Sequence, residues 1–500
     1  MIYFNYYLNF AIGITNIICL QNYLHLFQLR DYNTIRYLSY FNFKYWIFEV
    51  FSLSIFVAQI LIFNLFFTFF SNLIILLFLP FIYCKIAANN KTPIVVTNRL
   101  KNIYIIASII EILPVFFLNY AILSIILMIF APFFANFLNF YNKIKNNKFI
   151  KTAQNKIKNS NTKVIAITGS NGKTTVKNIL FSMLKRKYKV IAPPKSFNTP
   201  LGISKFINQS DLNVDFIILE YGARHKNDIK KLCNLFGADY GILTQISPQH
   251  LQTFRTIENI VKTKNELCVF LKEKPCVYNL DCEKIRPLFD EKIGGKFSVS
   301  TLNKSSDIFA TDIKIEDFEM RFVLHCKDFE FNCKTRLLGK NNIIDILLAA
   351  ALAINLGISK EDLSKAISTL TPTPHRLEYI KGQINILDDS YNCSLTSAEQ
   401  SLDVLKHTSG KKMVVTPGII EGGKFQEKIN QKLGKMLSEF DFIVIVGHTN
   451  KDAITKGILD ANPTKKILFA HDLNHAKQYF GLLSSADTLL LLNDLPDDYN

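Results

Sequence analysis

The chain of 500 residues has no lysine or arginine before Arg30, and no acidic residue between 141 and 163, where seven lysines fall. Its nine cysteines include no Cys-x-x-Cys pair and no metal-ligand spacing. That excludes a disulfide scaffold and reads as reduced, cytoplasmic thiols. The N-terminal segment lacks a basic stretch and a small-residue cleavage site, so no cleaved signal peptide is expected. No internal repeat is visible. The net charge of +17 does not call for a nucleic acid, because Lys, Asn, Ile and Phe are abundant together, as in an AT-biased coding sequence. The length suggests about three domains.

What is abundant is apolar. Hydrophobic residues make up 49% of the chain, 42 of them phenylalanine, and the excess sits in residues 1–140. Residues 49–86 and 103–140 are long runs nearly free of charge, each about twice the ~20 residues that cross a hydrocarbon core. Each reads as a helical hairpin, with turns at Ser71-Asn72 and Asn119-Tyr120, and 2–20 as a fifth span. The basic segments before, between and after the hairpins would all be cytoplasmic. Glu111, inside the second run, should face protein or be protonated. The expectation is a transmembrane helical region (1–140), then a basic linker (141–162) lying along anionic headgroups.

From residue 163 short apolar strands alternate with helices, the pattern of a parallel α/β sheet. Val164–Ile167 is a β-branched run. Gly169, Ser170, Asn171, Gly172, Lys173, Thr174 and Thr175 follow it, ahead of a helical face of Val176, Ile179, Leu180, Met183 and Leu184. Strand, glycine turn and helix start form a phosphate cradle, in which backbone N–H groups and the helix dipole meet an anion and lysine adds a charge. Thr174 can offer its hydroxyl to Mg²⁺. The strict P-loop spacing would place glycine at 167, where the chain has Ile167. An ATP-type phosphate site is expected.

Further along, 216–220 is a strand ending in Glu220, where open α/β sheets place ligands. A strand at 240–244 precedes His250 and a helix carrying Lys264; alone, these two read as a loop histidine and a solvated helix charge. Residues 306–335 alternate like antiparallel strands. Leu338-Gly-Lys-Asn-Asn-Ile-Ile-Asp345 opens an alanine- and leucine-rich helix whose first turn exposes Asn342 and Asp345. Thr371-Pro-Thr-Pro374 reads as a hinge. Strands at 384–388, 413–416, 442–446, 466–469 and 488–492 follow, making a second α/β domain. The expected division is an ATP-binding central domain, 163–371, and a Rossmann-like C-terminal domain, 372–500.

Several blocks in order resemble the Mur ligases, and among them the MurF type. Thr168–Thr175 resembles the family's ATP loop, which also lacks the distal glycine. Asn198-Thr-Pro-Leu-Gly202 resembles its substrate-side loop, and Glu220-Tyr-Gly-Ala223 its Mg²⁺ glutamate. His250, followed fourteen residues later by Lys264, resembles its metal histidine and carbamylated lysine. His375-Arg376-x-Glu378 resembles the ATP-contacting arginine at the hinge. Asp388-Asp-Ser-Tyr-Asn392 is MurF-like, and Asn493-Asp-Leu-Pro-Asp497 supports it. The family's adenine-side block reads Gly-x-His-Asn-x-x-Asn; here Asn341 and Asp345 replace the His and the last Asn, leaving Asn342. Membrane spans stand where soluble relatives hold the UDP end of their substrate.

The resemblance implies ATP-dependent amide bond formation through an acyl phosphate, joining D-alanyl-D-alanine to UDP-MurNAc-tripeptide in peptidoglycan precursor synthesis. It implies ATP contacts from Gly169–Thr175, Asn342, Arg376 and Asp389. Two Mg²⁺ ions would lie among Thr174, Glu220, His250 and carbamylated Lys264, with Lys173, Lys264 and His250 catalytic. Asn198, Thr199, Ser390, Tyr391 and Asn392 would hold substrate, and Arg376 and Asp389 would reach ATP on domain closure. The implied location is the bacterial inner (cytoplasmic) membrane, multi-pass, with catalytic domains in the cytoplasm. The implied partners are the two substrates, the membrane and other precursor enzymes, with no nucleic acid. The alternatives are a membrane-linked poly-γ-glutamate or folylpolyglutamate type of ligase, or a membrane P-loop ATPase without ligase chemistry.

Overall fold

The computed structural model describes residue 105 and residues 144–247, 251–291, 294–391, 393–420 and 425–493, the side chains of 251 and 252 excepted. The chain separates into two compact units, Met1–Asn147 and Lys148–Asn500. The second holds every strand among the described residues, arranged in two sheets.

The first sheet has nine strands in the order β2-β3-β1-β4-β5-β6-β7-β8-β9. They are β1 (Lys163–Thr168), β2 (Val190–Ile191), β3 (Phe216–Glu220), β4 (Tyr240–Leu243), β5 (Cys276–Asn279), β6 (Lys296–Ser300), β7 (Ile308–Glu316), β8 (Glu319–Cys326) and β9 (Glu330–Thr335). The strands from β2 to β7 pair in parallel, and β7, β8 and β9 antiparallel. Strand β1 is central, and its side chains alternate between two cores. Ile165 and Ile167 join helices α1 (Lys173–Leu184) and α5 (Lys340–Asn355) on one face. Val164 and Ala166 join α2 (Pro200–Gln209), α3 (Asp228–Phe236) and α4 (Ile257–Leu271) on the other. A parallel strand covered on both faces must be apolar throughout, which is why Val164–Ile167 shows no polar alternation.

The second sheet has six strands, β10-β11-β15-β12-β13-β14. These are β10 (Glu378–Lys381), β11 (Asn385–Asp389), β12 (Lys412–Thr416), β13 (Phe442–Val446), β14 (Leu468–Ala470) and β15 (Thr488–Leu492). Five of them match the expected runs to within a residue or two. The antiparallel edge strand β10 was not expected, since Glu378-Tyr-Ile-Lys381 is only half covered and carries no apolar run. Residues 371–374, read as a hinge, are irregular and connect the two sheets.

Two expectations are corrected. The multi-pass location in the inner membrane is overturned: no helix among the described residues is long and apolar enough to cross a membrane. The most apolar, α5, has 16 residues, about 24 Å at 1.5 Å per residue, and packs on α1 and the sheet. The runs 2–20, 49–86 and 103–140 lie outside the described residues, apart from Ile105. The second correction concerns the linker. Residues 148–158 are helical, with Ala153 and Ile157 buried, one turn apart, in the core beneath α2. Lys156 donates to the carbonyl oxygen of Ser210 at 2.5 Å.

Candidate functional site

The loop after β1 is built on glycine. Gly172, the residue before α1, has φ 82°, a left-handed conformation that side chains with a β-carbon resist. Gly169 has no room for one, because it would meet the Thr244 hydroxyl at 2.0 Å. The residues after β4 hold the loop from behind. Ser170 N donates to Gln245 O (2.6 Å), the Thr244 hydroxyl to Asn171 O (2.5 Å) and Ser247 N to Ser170 Oγ (3.1 Å).

Lys173 opens α1. Part of its chain reaches the surface, but the ammonium folds back onto the carbonyl oxygens of Gly169 (2.7 Å) and Ser170 (2.8 Å). Burial lowers it to about 8, Glu220 opposes this and Arg376 adds to it. Thr174 donates its hydroxyl to Glu220 Oε2 at 2.9 Å. Glu220, the last residue of β3, is 1% exposed and in register with Ile167 of β1. Its Oε1 accepts no aligned hydrogen bond, although the Lys177 ammonium stands 3.1 Å away as a charge contact. A buried carboxylate oxygen without an aligned hydrogen bond, beside a hydroxyl at the mouth of a phosphate loop, offers the hard oxygen donors that Mg²⁺ takes. The residues fit the ion.

Lys264 on α4 is 3% exposed, not the solvated lysine its sequence context suggests. Burial first, and then Lys173, hold it well below the ordinary lysine range. His250 and Asn392 lie outside the described residues. Thr199 caps α2, accepting from Gly202 N at 3.2 Å, and Asn198 O accepts from Gly222 N at 3.0 Å beside Glu220.

Across from the loop, a cavity of about 470 Å³ is lined by Thr175, Asn178, Asn342, Thr373 and Arg376, among others. Asn342 donates its amide to Leu338 O at 2.6 Å. Asp345 is buried against the phosphate loop, not exposed in the first turn of α5. The Arg376 guanidinium lies 4.4 Å over the Tyr391 ring, and its charge reaches Lys173, Asp345 and Asp389. His375 and Leu377, on either side of it, have φ 63° and 51°, backbone strain of the kind found at functional positions. Asp389 turns inward, accepting from Ser401 Oγ (2.5 Å) and Leu377 N (3.2 Å), and burial raises it. Asp388 accepts from Ser390 Oγ at 2.6 Å and lies 2.8 Å from His375 Nδ1. Asn493 binds Cys393 N (3.1 Å) and Gly418 O (2.6 Å), joining the ends of three strands.

The structure thus brings Gly169–Thr175, Glu220, Lys264, Asn342 and Arg376 to one edge. Asp389, Ser390 and Thr199 spend their polar groups locally. Sequence reasoning missed Lys177, which is three residues beyond Thr174 and so on the same helix face.

Residues 167–353 match the family model of the Mur ligase middle domain. The UDP-N-acetylmuramoyl-tripeptide–D-alanyl-D-alanine ligase of Bacillus subtilis (strain 168) is 29% identical over 281 residues, covering 55% of this chain and 60% of that protein. The chain therefore matches three fifths of that relative's length. The enzyme of the same name from Buchnera aphidicola subsp. Baizongia pistaciae is 27% identical over 329 residues, 62% of this chain and 72% of that one. Among solved structures, the MurF ligase of Thermotoga maritima in complex with ADP aligns with a TM-score of 0.63 at 25% identity, over 70% of this chain and 80% of that one. Residues 167–353 thus match the Mur ligase middle domain, and the relatives and solved structures that this chain is similar to are MurF ligases.

Proposed function

We propose that this chain is an ATP-dependent ligase of the MurF type, joining D-alanyl-D-alanine to the carboxyl end of UDP-MurNAc-tripeptide through an acyl phosphate. The observation that carries the reading is the meeting of Thr174 with Glu220 beside the glycine loop. The cavity bounded by α1, Asn342 and Arg376 supports it as space for the nucleoside of ATP. The loop N–H groups and Lys173 bind the β- and γ-phosphates, once the ammonium leaves the Gly169 and Ser170 oxygens for the anion. Thr174 and Glu220 would hold Mg²⁺, with His250 as the proposed ligand of a second ion, and the metal would supply positive charge to the phosphate and carboxylate oxygens. Burial favours the neutral form of Lys264, the form of an amine that carbon dioxide carbamylates; the carbamate would give an anionic ligand. Arg376 and the strained segment around it steady the nucleotide from the C-terminal side of a boundary at 371/372, and Asp389 orders that side.

The test is ligation with purified UDP-MurNAc-tripeptide, D-alanyl-D-alanine and MgATP. Amide formation with ADP and phosphate release in equal amounts is expected. ATP hydrolysis indifferent to the dipeptide, or amide formation with glutamate in its place, overturns the proposal.

A further inference from the structure

Lys177 has no exposed surface and no role in the reading above. Its ammonium has three hydrogens to give and three oxygens around it: Glu220 Oε1 at 3.1 Å, Pro193 O at 2.7 Å and Lys195 O at 3.3 Å. Burying an ammonium is unfavourable unless its charge is paired and its donors are used; here two donors go to carbonyl oxygens and the charge faces the Glu220 carboxylate. An apolar side chain of similar length would fill the same space without that demand.

The three acceptors belong to two parts of the site. Glu220 is held from one helix face at both oxygens, Oε2 by the hydrogen bond from Thr174 and Oε1 by the Lys177 charge, which favours one orientation of its carboxylate. Pro193 and Lys195 begin the segment that runs to Asn198. The far end of that segment lies on the residues after Glu220: Asn198 O accepts from Gly222 N, and a β-carbon on residue 222 would stand 2.9 Å from Asn198. The Lys177 ammonium closes this ring of contacts at its centre.

We infer that Lys177 is a positioning residue that locks the Glu220 carboxylate and the segment 193–198 into one register, coupling the metal side of the site to its substrate side. The metal half rests on the proposed reading of Glu220 as a Mg²⁺ ligand; the segment half does not. Occupation by Mg²⁺ and placement of Asn198 are then set by one buried charge.

The test uses the full chain and two measurements. The first is ADP binding titrated across Mg²⁺ concentrations for wild type, Lys177→Met, Glu220→Gln and the double variant. Both single variants should raise the Mg²⁺ concentration for half-maximal binding about tenfold, and the double should match Glu220→Gln, because Lys177 acts through the carboxylate. The second is amide hydrogen exchange at 195–198, which should quicken in Lys177→Met and the double but not in Glu220→Gln. If Lys177→Met melts, the double variant, which leaves no buried charge unpaired, carries both measurements against Glu220→Gln. Equal added effects in the two backgrounds, or wild-type exchange at 195–198 in the double, overturn the inference. A wild-type Mg²⁺ response in Glu220→Gln overturns the metal reading and the coupling with it, and is told apart because exchange still reports the segment.

Discussion

The Asp345 carboxylate packs on the α-carbon of Gly172, so closely that a β-carbon at residue 172 would stand 2.6 Å from Oδ1. An acidic group is thus buried against a loop shaped for anions. Burial pushes its carboxyl well above the ordinary 3.8, with Arg376 opposing. The contact also gives Gly172 a second reason to be glycine beyond its φ.

Asp345→Asn should stabilise the protein at neutral pH. With the folded-state value raised, the native form binds more protons than the unfolded one above pH 3.8, so stability falls as pH rises from there through the raised value. Asparagine has no such term. Thermal midpoints should be higher for the variant at pH 7.5 and converge with wild type as pH falls toward 4. Equal midpoints at pH 7.5 refute this.

Lys173 gives a proton-linked prediction of the opposite kind. Lowered to about 8 by burial, it is largely neutral at pH 9 in the free protein, and bound phosphates should restore its charge. ADP binding should take up a proton above pH 8 and almost none at pH 7, read by calorimetry in two buffers of different ionisation enthalpy. Lys173→Met should abolish the uptake and ligation. A free-protein stability that rises with pH between about 8 and 10.5 accompanies this, since there the unfolded chain binds more protons. No uptake at pH 9 removes Lys173 from the phosphates.

For Lys264, an anionic ligand at the reacting centre is worth about 100- to 1,000-fold in rate, and Lys264→Ala should lose at least that. Acetate or formate should restore part of the activity by returning an anionic oxygen to the space, and should do nothing for Lys173→Ala, which needs a cation. Activity near wild type in Lys264→Ala takes the residue out of the site.

Thr199 separates a cap from a substrate contact. Thr199→Ala should cost about 1 kcal/mol of stability and Thr199→Gly only a few tenths, as at other helix N-caps. If Thr199 only caps, Thr199→Gly leaves KM for the tripeptide substrate unchanged. A large rise in KM with normal stability assigns it to the substrate.

Elements whose signal is local could be read from neighbouring residues alone. The β-branched run Val164–Ile167, the glycines at 169 and 172 and the apolar face of α1 fix strand, turn and helix among neighbours in the chain, so the phosphate loop could be read directly. The parallel strands β1, β3, β4 and β11 to β15 announced themselves in the same way, as short apolar runs, whereas β2, β5 and β6 were not expected. Burial across distance depends on packing between segments far apart in the chain. Lys264 and Lys177 look like solvated helix lysines, because nothing nearby in sequence says that both are buried, Lys177 against Glu220 of β3 and the segment 193–198. Asp345 reads as an exposed residue until α5 is laid on the loop at Gly172, more than 170 residues earlier. The apolar runs before residue 141 could be read as spans from length alone, but location did not follow from them. Hydropathy reports which segments avoid water, and packing decides where the charges among them are kept.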